Sequence, residues 1–169
     1  MLNIFRLGQK RPQFLLNEAD ALGLRPKSIL LASEGRRFSP AAIAAATSLA
    51  NSAGGSIEIL TIARIWGTGF GLPNPGLLPN SREWQEQRDN AASAQAALKQ
   101  NGIGAAAEVL AARNAAKQIL RVAKAKHCDL IIMAADKLRH PIISGLLWSQ
   151  EPHRVRRLAS IPVFLVQVP

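Results

Sequence analysis

Lys137, Arg139 and His140 stand close together in a loop that follows the apolar run Asp129 to Ala134, and Ser149 and Gln150 close that loop before a short basic stretch. Cationic side chains beside a hydroxyl that can cap the next helix are suited to holding an anion by side-chain charge. The loop lacks the glycines that let backbone N–H groups cradle a phosphate, so the side chains would have to do the binding. A second polar pair, Ser33 and Glu34, ends the run SILLAS at the other candidate ligand edge. In parallel α/β sheets ligands bind where strands end, in the crevice beyond their carboxyl ends.

Other chemistries find little support. His127, His140 and His153 are the only histidines and Cys128 is the only cysteine, with no ligand spacing for a metal. His127 and Cys128 are neighbours ahead of a buried strand, which reads as an inert core thiol rather than a nucleophile pair. No Ser-His-Asp order suggests a triad, and the carboxylates are not grouped as a glycosidase pair would be. Trp148 near the loop is a candidate base-stacking or packing residue.

The elements that must position these groups follow from periodicity. Short Ile/Leu/Val runs near 28–33, 57–62, 105–110, 129–134 and 162–167 read as strands. Between them lie Ala-rich amphipathic helices. Ser39 caps the first, with Pro40 at its first position, and Gly54 and Gly55 stop it. Ser81 opens a long helix through about Gln100. The stretch NAAKQILRVAKAKH forms a basic helix, and Gln150 to Ala159 forms a last, short one. Strict alternation of strand and helix predicts a parallel five-stranded sheet with helices on both faces, a three-layer α/β/α sandwich. Residues 1–26 form an N-terminal extension, read as a short amphipathic helix, an arm for a partner or an unstructured leader. Residues 27–169 form the domain. The Gly- and Pro-rich segment from Trp66 to Asn80 is a long excursion of undetermined role.

Composition narrows the setting. No apolar run approaches the roughly 20 residues of a membrane span, and the first residues lack a signal-peptide core. A lone cysteine excludes an internal disulfide, so the expected location is cytoplasmic. The net charge of +10 is unevenly placed: residues 1–27 carry +3, residues 28–112 carry 0 and residues 113–169 carry +7. Lys124, Arg154, Arg156 and Arg157 are expected on outward helix positions. They form a candidate basic face for an acidic protein, an anionic membrane surface or nucleic acid.

Across residues 27–168 the chain resembles the universal stress protein family. That family opens with an apolar strand ending in Asp-Gly-Ser; here SILLASEGRRFS puts Glu34 in the Asp position and Gly35 in the Gly position. Its Asp-Leu-Ile-Val-Met-Gly strand is matched by Asp129 to Ala134, and its closing Val-x-x-x-Ala-x-x-Pro-Val by Val155, Ala159, Pro162 and Val163. The resemblance implies the sheet order 3-2-1-4-5 and a homodimer in which the fifth strands pair, with Val163, Phe164, Leu165 and Val168 as candidate contacts. It implies a stress-response binding or regulatory module, with ATP or AMP as the possible cofactor. ATP-binding members carry Gly, two residues, Gly, nine residues, then Gly-Ser or Gly-Thr. This chain has Ala134 and Lys137 at the first two glycine positions, and Trp148-Ser149 or Ser149-Gln150 at the last pair. The departures imply weak or absent ATP binding without catalysis. The alternative is an adenine-nucleotide binder with slow hydrolysis, with Glu34 bonding a ribose hydroxyl instead of pairing with Arg36 or Lys137.

Overall fold

Six residues of β2 (Ser28–Ser33) are buried almost throughout because helices cover both faces of the strand. Ile29 and Leu31 point into one helical layer, Leu30 and Ala32 into the other, as alternation along a strand requires. In the computed structural model, residues 5–6, 23–65, 78–136 and 150–168 are described, with the side chains of residues 5, 6 and 168 excepted. The remaining elements are β1 (Phe5–Arg6), α1 (Pro40–Ala53), β3 (Ser56–Arg64), α2 (Ser81–Gln100), β4 (Ala105–Ala112), α3 (Ala115–Ala125), β5 (Leu130–Asp136), α4 (Glu151–Leu158) and β6 (Val163–Val168).

The sheet is wholly parallel in the order β1-β6-β5-β2-β3-β4. Without β1 it is the expected five-stranded 3-2-1-4-5 sheet. Helices α1 and α2 pack on one face through Ala46, Leu49, Ala94 and Leu98. Helices α3 and α4 pack on the other through Ala116, Ile119 and Val155. Right-handed crossovers demand this split, since the chain reverses its direction across the sheet after β4.

Local signals account for the ends. Ser39 accepts from Ala42 N–H at 3.1 Å, and Gly54 takes a left-handed φ of 63° after α1. Asn80, one residue before the expected start, caps α2 in a reciprocal capping box with Glu83. Asp129 accepts the backbone N–H groups of Lys27 at 2.8 Å and Ser28 at 3.2 Å, tying the starts of β5 and β2 together. This carboxylate therefore sits at the opposite end of the sheet from the candidate site.

Within the N-terminal extension the described residues include a short strand, which the sequence reading did not offer. Residues Phe5 and Arg6 add this strand to the outer edge of β6, opposite Val166 and Gln167. The physical reason is the exposed row of backbone groups that a terminal parallel strand presents.

Candidate functional site

The strand order reverses between β2 and β5, where β2 continues to β3 on one side while β5 arrives from β4 on the other. Their carboxyl ends frame a crevice at that switch point. Its shape is set by the turn after β2. Gly35 adopts a φ of 112°, and a Cβ there would come within 2.8 Å of the Ile62 carbonyl oxygen. Only glycine fits both demands. The Ser33 hydroxyl donates to the Arg36 carbonyl and accepts from the Gly35 N–H at 3.2 Å, so it is committed to the turn.

The turn sends the Arg36 side chain back across the crevice. Its Nε donates to Glu34 Oε1, its Nη1 to Asp136 Oδ2 at 2.7 Å, and its Nη2 to the Ala134 carbonyl at 3.3 Å. One guanidinium thus staples the end of β2 to the end of β5. From the other side, Arg64 at the end of β3 donates Nε to the Glu34 carbonyl at 3.4 Å. Glu34 is only 2 % exposed. Burial pushes its carboxyl above the ordinary glutamate range; Arg36, a backbone hydrogen bond and Arg64 pull the other way without overcoming it. Burial likewise holds the Arg64 guanidinium below its ordinary value, opposed by the charges of Glu151 and Glu34.

Helix α2 braces the same turn with two amides one helical turn apart. Gln87 donates to the Gly35 carbonyl at 2.9 Å and accepts from Thr61 Oγ1 at 2.6 Å. Asn90 donates to the Arg36 carbonyl at 2.7 Å and accepts from Phe38 N–H at 3.0 Å. On the far side Glu151 accepts from the Ala116 N–H at 2.9 Å, which fixes the start of α4 against that of α3.

These bridges leave little room. The space enclosed between Ala32, Glu34, Arg36, Phe38 and Ala134 is about 10 Å³, roughly what one water requires. A larger groove of about 810 Å³ lies against α2, where Arg37 and Arg82 face Glu86 and Asp89. Its balanced charge selects no ligand class.

The structure brings Ser33, Glu34 and Ala134 together at the crevice. Glu34 is paired with Arg36, one of the two bases the sequence offered. Lys137, Arg139, His140, Trp148, Ser149 and most of the 66–80 excursion lie outside the described residues. Gln150 is exposed at the N-cap of α4 and makes no capping bond. Val163, Phe164 and Leu165 are buried in the chain's own core, so edge contacts with a partner would run through backbone groups; the Val168 side chain lies outside the described residues. Lys124, Arg154 and Arg157 are exposed, whereas Arg156 is half-buried, contrary to its expected outward position. It stands four residues after the buried Pro152, so the two share the inward side of α4. Cys128 is buried and burial raises its thiol pKa, as an inert core thiol requires.

Sequence reasoning missed Asp136, Arg64, Gln87 and Asn90. A signal existed for the last two: both are polar residues on the stripe of α2 that carries Ala91, Ala94 and Leu98.

Comparison with known proteins accords with this geometry. The sequence pattern of the Universal stress protein family matches residues 26–167. A search of curated proteins finds no match. Among solved structures, the chain is similar to the universal stress protein UspA from Lactobacillus plantarum, with 18 % identity and a TM-score of 0.66 over 84 % of this chain and 98 % of that one. It is similar to a universal stress protein family member from Burkholderia pseudomallei, with 21 % identity and a TM-score of 0.60 over 83 % and 95 % of the two chains. A third likeness is to the universal stress protein from Archaeoglobus fulgidus in complex with dAMP, with 14 % identity and a TM-score of 0.61 over 85 % and 99 %. With a family pattern spanning most of its length, on the matching fold, this chain belongs to the universal stress protein family.

Proposed function

We propose that this chain is a cytoplasmic, non-catalytic regulatory module of the stress response whose nucleotide crevice is closed by its own arginine, so that ATP or AMP binds weakly or not at all. The observation that carries this reading is the Arg36 bridge from Glu34 to Asp136 and the Ala134 carbonyl. A nucleotide entering between β2 and β5 would have to displace that guanidinium. Each charge-assisted hydrogen bond broken without replacement costs about 1.5–3 kcal/mol. Losing two weakens binding by roughly a hundredfold or more. Ala134 and Lys137, at positions where the family's ATP binders have glycine, add a Cβ and a side chain where backbone donors would approach phosphate.

The dAMP held by the Archaeoglobus fulgidus relative favours a second reading. In it Arg36 swings outward and clamps the phosphates of an adenine nucleotide, leaving Glu34 to the ribose. Titration calorimetry of the purified chain with ATP and with AMP separates the two, alongside mass spectrometry of anything carried through purification. The closed crevice requires no heat signal at micromolar ligand and no co-purified nucleotide. A low-micromolar Kd would overturn it, and loss of that affinity in Arg36→Ala would establish the clamp.

A further inference from the structure

Among the described residues, excess positive charge is gathered by the fold onto one side of the sheet. Helices α1 and α2 carry no net charge between them: α1 has no charged residue, and α2 sets Arg82, Arg88 and Lys99 against Glu83, Glu86 and Asp89. The α3 and α4 side is different. On α3, Lys117, Arg121 and Lys124 are exposed at i, i+4 and i+7, a single outward stripe about 10 Å long. Arg113 is exposed just before the N-cap of that helix. On α4, which packs in the same layer, Arg154 and Arg157 are exposed one turn apart. The one carboxylate on the two helices, Glu151, is half-buried, accepts from Ala116 N–H and lies 3.7 Å from Arg154. Lys126, at the far end of α3, is already paired with Glu58 at 3.0 Å.

One apolar group interrupts this field. Leu158, four residues after Arg154 on the same side of α4, is 55 % exposed, and it is one of two large apolar side chains so exposed among the described residues. A phosphate backbone offers a leucine nothing, and among the described residues neither α3 nor α4 carries a Phe, Tyr or Trp on which a nucleic-acid base could stack; their one ring, His153, is half-buried. The headgroup region of a bilayer rewards both, because cations meet anionic lipid and the leucine reaches the acyl boundary.

We propose that the α3–α4 face docks on anionic membrane surface, with Arg113, Lys117, Arg121, Lys124, Arg154 and Arg157 against lipid headgroups and Leu158 at the acyl boundary. Each cation held at such a surface strengthens binding about fivefold. The attachment is therefore peripheral, reversible and salt-sensitive. It does not depend on whether the crevice binds nucleotide.

The test is co-sedimentation of the full chain with vesicles of phosphatidylcholine alone and of phosphatidylcholine mixed with phosphatidylserine, at low and high salt. Binding is expected only to the mixed vesicles and only at low salt. Changing Lys117, Arg121 and Lys124 to Gln should lower the affinity roughly a hundredfold. Changing Arg82 and Arg88 to Gln, which removes charge from the opposite face, should leave it within about twofold. Leu158→Ser should weaken vesicle binding several-fold and leave any binding to a duplex oligonucleotide unaltered. Equal losses from both faces would overturn the proposal, as would absence of vesicle binding or tighter binding to the duplex that ignores Leu158. Circular dichroism of each variant establishes that it is folded before binding is compared.

Discussion

Glu34 is a carboxylate that the fold surrounds with protein on all sides and then staples with a guanidinium. Because burial raises its pKa, the folded chain holds a proton that the unfolded chain has already released. That difference opens near the ordinary glutamate pKa of about 4.3 and closes at the raised folded value. Through this window the folded state binds more protons, so its stability falls as pH rises. Glu34→Gln removes the titration and keeps the side-chain shape. The melting temperature of the wild type should therefore drop relative to that of the variant as pH rises through the window, then hold a constant offset above it. A difference that is flat across the acid range would mean that Arg36 keeps Glu34 ionised throughout. His153 has the opposite sign: burial and Arg156 lower its pKa, so its contribution is lost as pH falls through the ordinary histidine range. Both proteins share that term, and it cancels in the comparison. At this scale the sequence was half legible. Glu34 and Arg36 are two residues apart, so a local pairing was open to inspection. Asp136, which completes the bridge, lies one hundred residues from Arg36.

The turn between β2 and α1 owes its shape to an element that is not adjacent in sequence. Asn90 of α2 satisfies both the Phe38 N–H and the Arg36 carbonyl. In Asn90→Ala the part-buried Phe38 N–H loses its partner, at about 1–3 kcal/mol, while the Arg36 carbonyl keeps only the Ser33 hydroxyl. A total loss of about 1–3 kcal/mol is expected in urea unfolding, carried by the midpoint and not the slope. Arg88→Ala, on the exposed side of the same helix, serves as the comparison and should change stability by no more than about 0.5 kcal/mol. If the two variants unfold alike, Asn90 does not hold the turn. The extents of the helices and strands were readable from apolar periodicity and caps, to within a residue or two. What α2 contributes to the site was readable only as two polar residues on its apolar stripe, because the groups that Gln87 and Asn90 meet lie far off in the sequence.

For the whole molecule the open question is the outer edge of the sheet. A last strand such as β6 presents unpaired backbone groups that invite a second copy of the chain. Here β1 already lies against part of that edge, opposite Val166 and Gln167. We propose that β1 and a dimer partner compete for β6. Removing residues 1–22 should then raise the dimer fraction in sedimentation velocity at a given concentration. A truncated chain no more associated than the parent would rule the competition out. Phe164→Lys would not test the point, since Phe164 is 3 % exposed within the chain's own core. The sequence by itself determined the alternation of strand and helix, the parallel sheet and the family. The alternation and the sheet follow from local periodicity, which every segment carries within its own few residues, and the family from the motifs at Glu34–Gly35, Asp129–Ala134 and Val155–Val163. Only the tertiary structure decided that the crevice is bridged by Arg36, that the basic residues of α3 and α4 share one face, and that the N-terminal segment adds a strand. Each of these depends on which distant segments become neighbours. That choice is made by the packing of the whole sheet and its two helical layers.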